Sequence, residues 1–146
     1  MSDAEEEALF ETSGLQRFEK PVPPVFIFGS YLGSLVLTTR RLLFLSSGGS
    51  GAGRVLAAKL LGVLTPDSLR QVTATLEEPG SLSVPHERLV ACAGKRRWDF
   101  GRYLRVTYRA DGGGEIATSF IFRGPVLGSG WIDGWVKRVA PLVPRG

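Results

Sequence analysis

The amino-acid sequence predicts a mainly β fold that ends in an amphipathic helix, and three stretches carry this prediction. In RYLRVTYR (102–109), Leu104, Val106 and Tyr108 alternate with more polar positions, the period of two of a half-buried strand. The glycine-rich ADGGGE (110–115) is typical of a hairpin turn, and IATSFIF (116–122) supplies the returning strand, which is expected to bury Phe120 and Phe122. Near the end of the chain, apolar residues recur at helical spacing: Trp131, Ile132, Trp135, Val136 and Val139. We expect the two tryptophans among them to lie in the core.

Length and composition are those of one globular domain. The chain has 146 residues, of which 43% are hydrophobic and 22% charged, and this balance excludes disordered and collagen-like classes. Cys92 is the single cysteine and His86 the single histidine, so we expect no disulfide, no structural metal and no cofactor. These two residues stand six positions apart without an orienting acid at a recognisable spacing, and an enzyme is therefore not expected.

The sequence also lacks the signals of a membrane-spanning or secreted chain. Its longest uncharged apolar stretch, 25–39, is shorter than the roughly 20 residues that cross a bilayer, and glycines and serines interrupt it. The acidic start MSDAEEEALFE does not resemble a secretory signal. We expect a cytoplasmic protein, with peripheral attachment to a membrane as the alternative.

Charged residues are distributed unevenly along the chain. Residues 1–20 hold six acids and two basic residues, a net charge of −4, which leaves +8 for the remainder because the total is +4. Residues 1–14 are therefore expected to be a flexible acidic tail or short helix, and the domain is expected at 15–140. The tail at 141–146 includes LVPRG, which matches a common protease-cleavable tag linker and carries no functional argument.

In the first half of the domain, the sequence predicts short strands and a long segment inserted between two of them, which we call the excursion. Residues 25–28, 34–37 and 42–45 are rich in strand formers, and 38–41 should form a turn that faces water. The excursion at 47–80 opens with the flexible SSGGSGAG (46–53), and RVLAAKLLGVL (54–64) predicts a short helix that Pro66 and Asp67 would end. Residues 68–76 combine a capping pattern with strand formers and fit either a helix or a strand. From residue 82 the pattern indicates a short strand, an edge that bears Pro85, and a second alternation at 89–93.

The stretch GSLVLTTRRLLFLSS (33–47) resembles the G-x-L-x-L-T-x-x-R-L-x-F strand pair of GRAM and bacterial PH-like domains. The likeness extends over roughly residues 15–139, and its specific part is 33–46. It implies a strongly bent antiparallel sheet or partly open barrel, capped by the last helix. The long excursion departs from the compact pattern of this superfamily. Members bind phosphoinositides, phosphopeptides or other proteins, and the fold alone does not choose among these ligands.

Two kinds of binding function follow from these features. The preferred one is a protein-interaction or scaffold module, self-associating or bound to another protein, through an exposed strand edge or the apolar side chains of the excursion. The alternative is a peripheral membrane domain that binds anionic lipid headgroups. Nucleic acid is not an expected partner, because one basic cluster beside Trp98 forms no recognisable motif. The interaction-surface candidates are Val55, Leu56, Leu60, Leu61 and Leu64. The anion-binding candidates are Arg40, Arg41, Lys95, Arg96, Arg97, Arg102, Arg105 and Arg109.

Overall fold

A computed structural model describes residues 6–18, 30–46, 62–97, 101–122 and 130–144. In these residues eight strands form a strongly curled antiparallel sheet, and a helix follows the last strand, which confirms the predicted mainly β architecture. The strand order is β5-β3-β2-β1-β8-β7-β6, and β4 pairs with β1. The elements are β1 (Glu7–Phe18), β2 (Ser30–Thr38), β3 (Arg41–Ser46), β4 (Gly62–Val63), α1 (Pro66–Thr75), β5 (Leu82–Pro85), β6 (Leu89–Arg97), β7 (Gly101–Arg109), β8 (Glu115–Phe122) and α2 (Gly130–Val139).

The backbone contacts of the chain divide it into two compact units. The first unit comprises residues 1–14 and 31–83, and the second comprises residues 15–30 and 84–146. Strand β1 contributes its first part to one unit and its last four residues to the other. Neither helix that the structure describes is long and apolar enough to cross a membrane.

The first unit contains the predicted hairpin of β2 and β3. Leu35 lies opposite Phe44, and Leu37 opposite Leu42, so one face of the hairpin carries four large apolar side chains, all of them buried. The other face packs into a core cluster with the start of β1, the residue after β4 and helix α1. The cluster consists of Ala8, Val36, Leu43, Leu45, Leu64 and Val72, with Leu69 and Leu76 against it.

Gly33, the first residue of the quoted motif, permits this hairpin to close. A Cβ atom at position 33 would collide with the backbone carbonyl of Leu45 on β3. Glycine is therefore required here for the close approach of two backbones rather than for an unusual dihedral angle.

Helix α1 settles the alternative that the sequence left open for 68–76. Thr65 is its N-cap, and the Thr65 hydroxyl accepts a 3.1 Å hydrogen bond from the Ser68 backbone N–H. Pro66 occupies the first helical turn, where a missing N–H costs nothing, so Pro66 and Asp67 begin a helix instead of ending one.

Two further expectations differ from the structure. Residues 7–18 form β1, although the sequence indicated a flexible tail or short helix up to residue 14, and Glu6 and Ala8 are buried. Residues 62–63 form β4, paired with Glu7 and Ala8, where the sequence predicted the end of a helix. The predicted strand at 25–28, and the predicted helix as far as residue 61, lie outside the described residues.

The second unit contains the part of the fold that the sequence predicted most fully. Strands β6, β7 and β8 pair in succession, and β8 also pairs with the end of β1. Helix α2 packs on β6 and β7. The core holds Leu104, Val106 and Phe120 with Trp135 of α2, as predicted, whereas Trp131 is half-buried.

Candidate functional site

The two faces of the β6–β7 pair differ in what they carry. Cys92 lies opposite Val106 and Gly94 opposite Leu104, and this face receives α2, whose Ile132 approaches Gly94. On the opposite face Lys95 lies across from Tyr103, and Arg105 is two residues farther along β7. We call the side chains of Lys95, Tyr103 and Arg105 the cationic face.

Arg105 is held against Tyr103 on the cationic face. Its guanidinium carbon lies 5.5 Å from the centroid of the Tyr103 ring, and its Nη2 donates a 3.1 Å hydrogen bond to the Tyr103 hydroxyl. The Nε–H of Arg105 is buried and has no hydrogen-bond partner among the residues that the structure describes. A buried donor without an acceptor lowers stability, so Arg105 retains capacity to bind an anion.

The predicted basic cluster is split between the two faces. Arg96 lies directly opposite Arg102 on the α2 face, and Arg102 Nη2 donates a 2.9 Å hydrogen bond to Asp133 Oδ1 of α2. This hydrogen bond raises the pKa of Arg102 and lowers the pKa of Asp133. Much of the charge of Arg102 is therefore matched by Asp133, whereas Arg96 makes no ion pair within the part of the chain that the structure describes.

The two remaining anion-binding candidates on β6 and β7 lie at the ends of these strands. Arg109 is exposed and lies across from Glu115 of β8, which offers it an opposite charge. Arg97 ends β6 opposite Gly101, and only its backbone belongs to the described structure. Among the predicted cations of β6 and β7 whose side chains are described, Lys95, Arg96 and Arg105 have neither an ion-paired acid nor an acidic residue directly opposite in the sheet.

Arg41 in the first unit has a structural partner. Arg41 Nε donates to Glu6 Oε2 at 2.9 Å and Nη2 to Glu6 Oε1 at 3.3 Å, while the Thr38 hydroxyl donates to Glu6 Oε2 at 2.6 Å. Burial favours a raised pKa for Glu6, but the hydrogen bonds from Arg41 and Thr38 and the positive charges of Arg41 and Arg40 together outweigh it, and the pKa lies below its ordinary value. The prediction that the 38–41 turn faces water holds for Thr39 and Arg40, whereas Thr38 is buried with Glu6.

The interaction-surface candidates have a different outcome. Leu64 is 5% exposed and packs in the core cluster of the first unit, so it does not lie on a surface. Val55, Leu56, Leu60 and Leu61 lie outside the described residues. An exposed apolar pair was not predicted from the sequence: Leu9 is 50% and Val63 53% exposed, and the β1–β4 register places both on the face opposite Ala8.

Cys92 and His86 are the only cysteine and the only histidine of the sequence, and the structure describes both. Burial raises the pKa of the Cys92 thiol to about 12, so the thiol is protonated at neutral pH. His86 lies in a short 3₁₀ turn before β6, and its buried Nε2 has no hydrogen-bond partner within the described part of the chain. In the described ranges no three histidine, cysteine, aspartate or glutamate side chains stand close enough to hold a metal ion.

No protein-family model and no curated protein matches this chain.

Proposed function

We propose that the protein is a non-catalytic binding module of the PH/GRAM-like type that docks on anionic lipid headgroups through the end of the β6–β7 pair. The observation that carries this proposal is the set of three cations, Lys95, Arg96 and Arg105, that make no ion pair within the described ranges. Neither β6 nor β7 contains an acidic residue. The curled antiparallel sheet with a C-terminal helix supports the resemblance to this superfamily, and the protonated Cys92 supports a non-catalytic role.

These cations lie at an edge of the sheet, a position suited to contact with a membrane surface. Strand β6 is the last strand in the described order, so Lys95 and Arg96 flank a sheet edge from its two faces. Each basic residue near an anionic membrane contributes about 1 kcal/mol, so three residues favour anionic over neutral vesicles by about 100-fold. That contribution is sufficient for reversible docking.

Vesicle cosedimentation tests the proposal. The chain should bind vesicles that contain phosphatidylserine and leave pure phosphatidylcholine vesicles unbound, and replacement of Lys95, Arg96 and Arg105 by alanine should abolish the difference. A matched variant that removes Arg70, Arg88 and Arg138 loses the same charge from exposed positions elsewhere, and it should bind nearly as well as the natural chain. Equal binding to both vesicles, or equal loss in the two variants, contradicts the proposal.

A second candidate is self-association, which the exposed pair of Leu9 and Val63 favours. Two large apolar side chains on one face of β1–β4 provide the start of a dimer contact. Light scattering after size-exclusion chromatography should then show a dimer that Leu9→Ser and Val63→Thr together convert to a monomer. A monomer at every concentration of the natural chain excludes this candidate.

A further inference from the structure

We infer that Asp133 of α2 makes an autoinhibitory contact: its carboxylate occupies Arg102 and keeps this cation out of the surface that docks on a membrane. The inference rests on the proposed function and adds a regulatory contact to it. Helix α2 supplies an anion from within the chain, and any outside anion that uses Arg102 has to displace it.

Arg102 lies beside one of the docking cations. It is directly opposite Arg96 in the β6–β7 ladder, on the face that receives α2. Like charges directly opposite each other in a sheet are destabilising, so a negative charge beside this pair lowers its energy. Asp133 supplies that charge, and its removal should give Arg96 a second cation as an immediate neighbour.

Both carboxylate oxygens of Asp133 accept hydrogen bonds from Arg102. Arg102 Nη2 donates to Oδ1 at 2.9 Å, and Nη1 donates to Oδ2 at 3.5 Å. The planar guanidinium suits such a two-point contact with a carboxylate. The hydrogen bond from Arg102 also lowers the pKa of Asp133, so the carboxylate is ionised at neutral pH and binds as an anion.

The packing of α2 positions Asp133 for this contact. Its neighbour Ile132 is buried and approaches Gly94 of β6. Asp133 also lies in the first turn of α2, where the helix dipole favours a negative charge. The backbone of Asp133 is therefore already ordered, which favours this carboxylate over one that comes from solution.

The contact is nevertheless exposed enough to be displaced. The side chain of Arg102 is 30% exposed and that of Asp133 is 67% exposed. An ion pair with this exposure is weak and is screened by salt. The attraction of one basic residue to an anionic membrane is of similar strength, so the membrane and Asp133 are able to compete for Arg102.

Vesicle cosedimentation with Asp133→Asn tests the inference, because this variant removes the competing charge and keeps the size of the side chain. Its affinity for vesicles that contain phosphatidylserine should be about fivefold higher than that of the natural chain, the contribution of one basic residue. Addition of Arg102→Gln restores the natural net charge and should abolish the gain. Unchanged thermal unfolding shows that the variants are folded.

Asp111→Asn is the matched control for this measurement. Asp111 pairs with Arg88 at the other end of the β6–β7 pair, so the variant also removes one negative charge and releases one arginine. Its affinity should change by less than about twofold. A gain in Asp111→Asn as large as in Asp133→Asn, or a gain that survives Arg102→Gln, overturns the assignment to the Asp133–Arg102 contact and leaves membrane docking intact.

An NMR titration of the Asp133 carboxyl group tests the competition without a membrane. The pKa of Asp133 should lie closer to its ordinary value in sodium sulfate than in sodium chloride of the same ionic strength, because sulfate displaces the carboxylate from Arg102. Equal pKa values in the two salts overturn the inference. A raised pKa in sulfate, with no preference for anionic vesicles in the natural chain or in Asp133→Asn, supports the competing contact and overturns the membrane proposal.

Discussion

Thr38 and Arg41 interrupt two apolar runs because they receive the carboxylate of Glu6. Arg41 grips both oxygens of Glu6, and the Arg41 side chain is 24% exposed while that of Glu6 is 6% exposed. Replacement of Arg41 by alanine leaves this carboxylate buried without its cation, so the free energy of unfolding should fall by about 2 to 3 kcal/mol in urea denaturation. Arg40→Ala is the adjacent control, and because Arg40 is exposed it should cost less than about 1 kcal/mol. Equal losses in the two variants contradict a specific role for Arg41.

The Cys92 thiol is buried in the core and is expected to be chemically unreactive in the folded chain. Because burial raises its pKa to about 12, almost no thiolate exists at neutral pH, and the thiolate is the form that reacts. The folded chain should react with a colorimetric disulfide reagent at least about 100-fold more slowly than the chain in guanidinium chloride. The absorbance of the released thiol measures both rates. Comparable rates show that Cys92 is exposed to solvent and rule out its place in the core.

At the scale of elements, the seating of α2 on β6 depends on the absence of a side chain at Gly94. A Cβ atom there would lie 2.8 Å from Arg102 Nη2 and 3.0 Å from Ile132 Cγ2. The arginine is able to move, but Ile132 belongs to the packed core, so Gly94→Ala should lower the free energy of unfolding by about 1 to 3 kcal/mol. Gly112→Ala is the control, because no atom lies within 4 Å of the added methyl group and its effect should stay within about 0.5 kcal/mol. Thermal unfolding followed by circular dichroism compares them, and an unchanged midpoint for Gly94→Ala argues against this contact.

The elements that the sequence predicted correctly are those whose signal is local. Alternation in 102–109, the glycine turn and the helical spacing of Ile132 and Trp135 each lie within one segment, and β7, β8 and α2 follow them. Strand β1 was not predicted, because its acidic start is typical of a solvent-exposed segment. Arg41, which binds the buried Glu6, lies 35 residues away in the sequence, so no local pattern indicates their pairing. The candidate site shows the same division. Alternation placed Tyr103 and Arg105 on one face, whereas the pairing of Arg102 with Asp133, 31 residues away, has no local signal.

At the scale of the whole molecule, the Glu6 network makes stability depend on pH. The folded pKa of Glu6 lies below the ordinary value of 4.5, so the folded chain holds this carboxylate ionised at pH values where the unfolded chain takes up a proton. The stability that this ionised carboxylate contributes is therefore fully present above about pH 4.5 and is lost as the pH falls through the lower folded pKa. Glu6→Gln removes the titrating group and with it this part of the pH dependence.

Urea unfolding at several pH values between about 7 and 3 measures the difference between the natural chain and Glu6→Gln. The natural chain should be the more stable at neutral pH, and its advantage should shrink as the solution becomes more acidic. Asp133 also has a lowered pKa, so Asp133→Asn in both backgrounds keeps its titration out of the comparison. An advantage that stays constant across this range means that Glu6 does not change its protonation there, and the network would then stabilise the fold through its geometry alone.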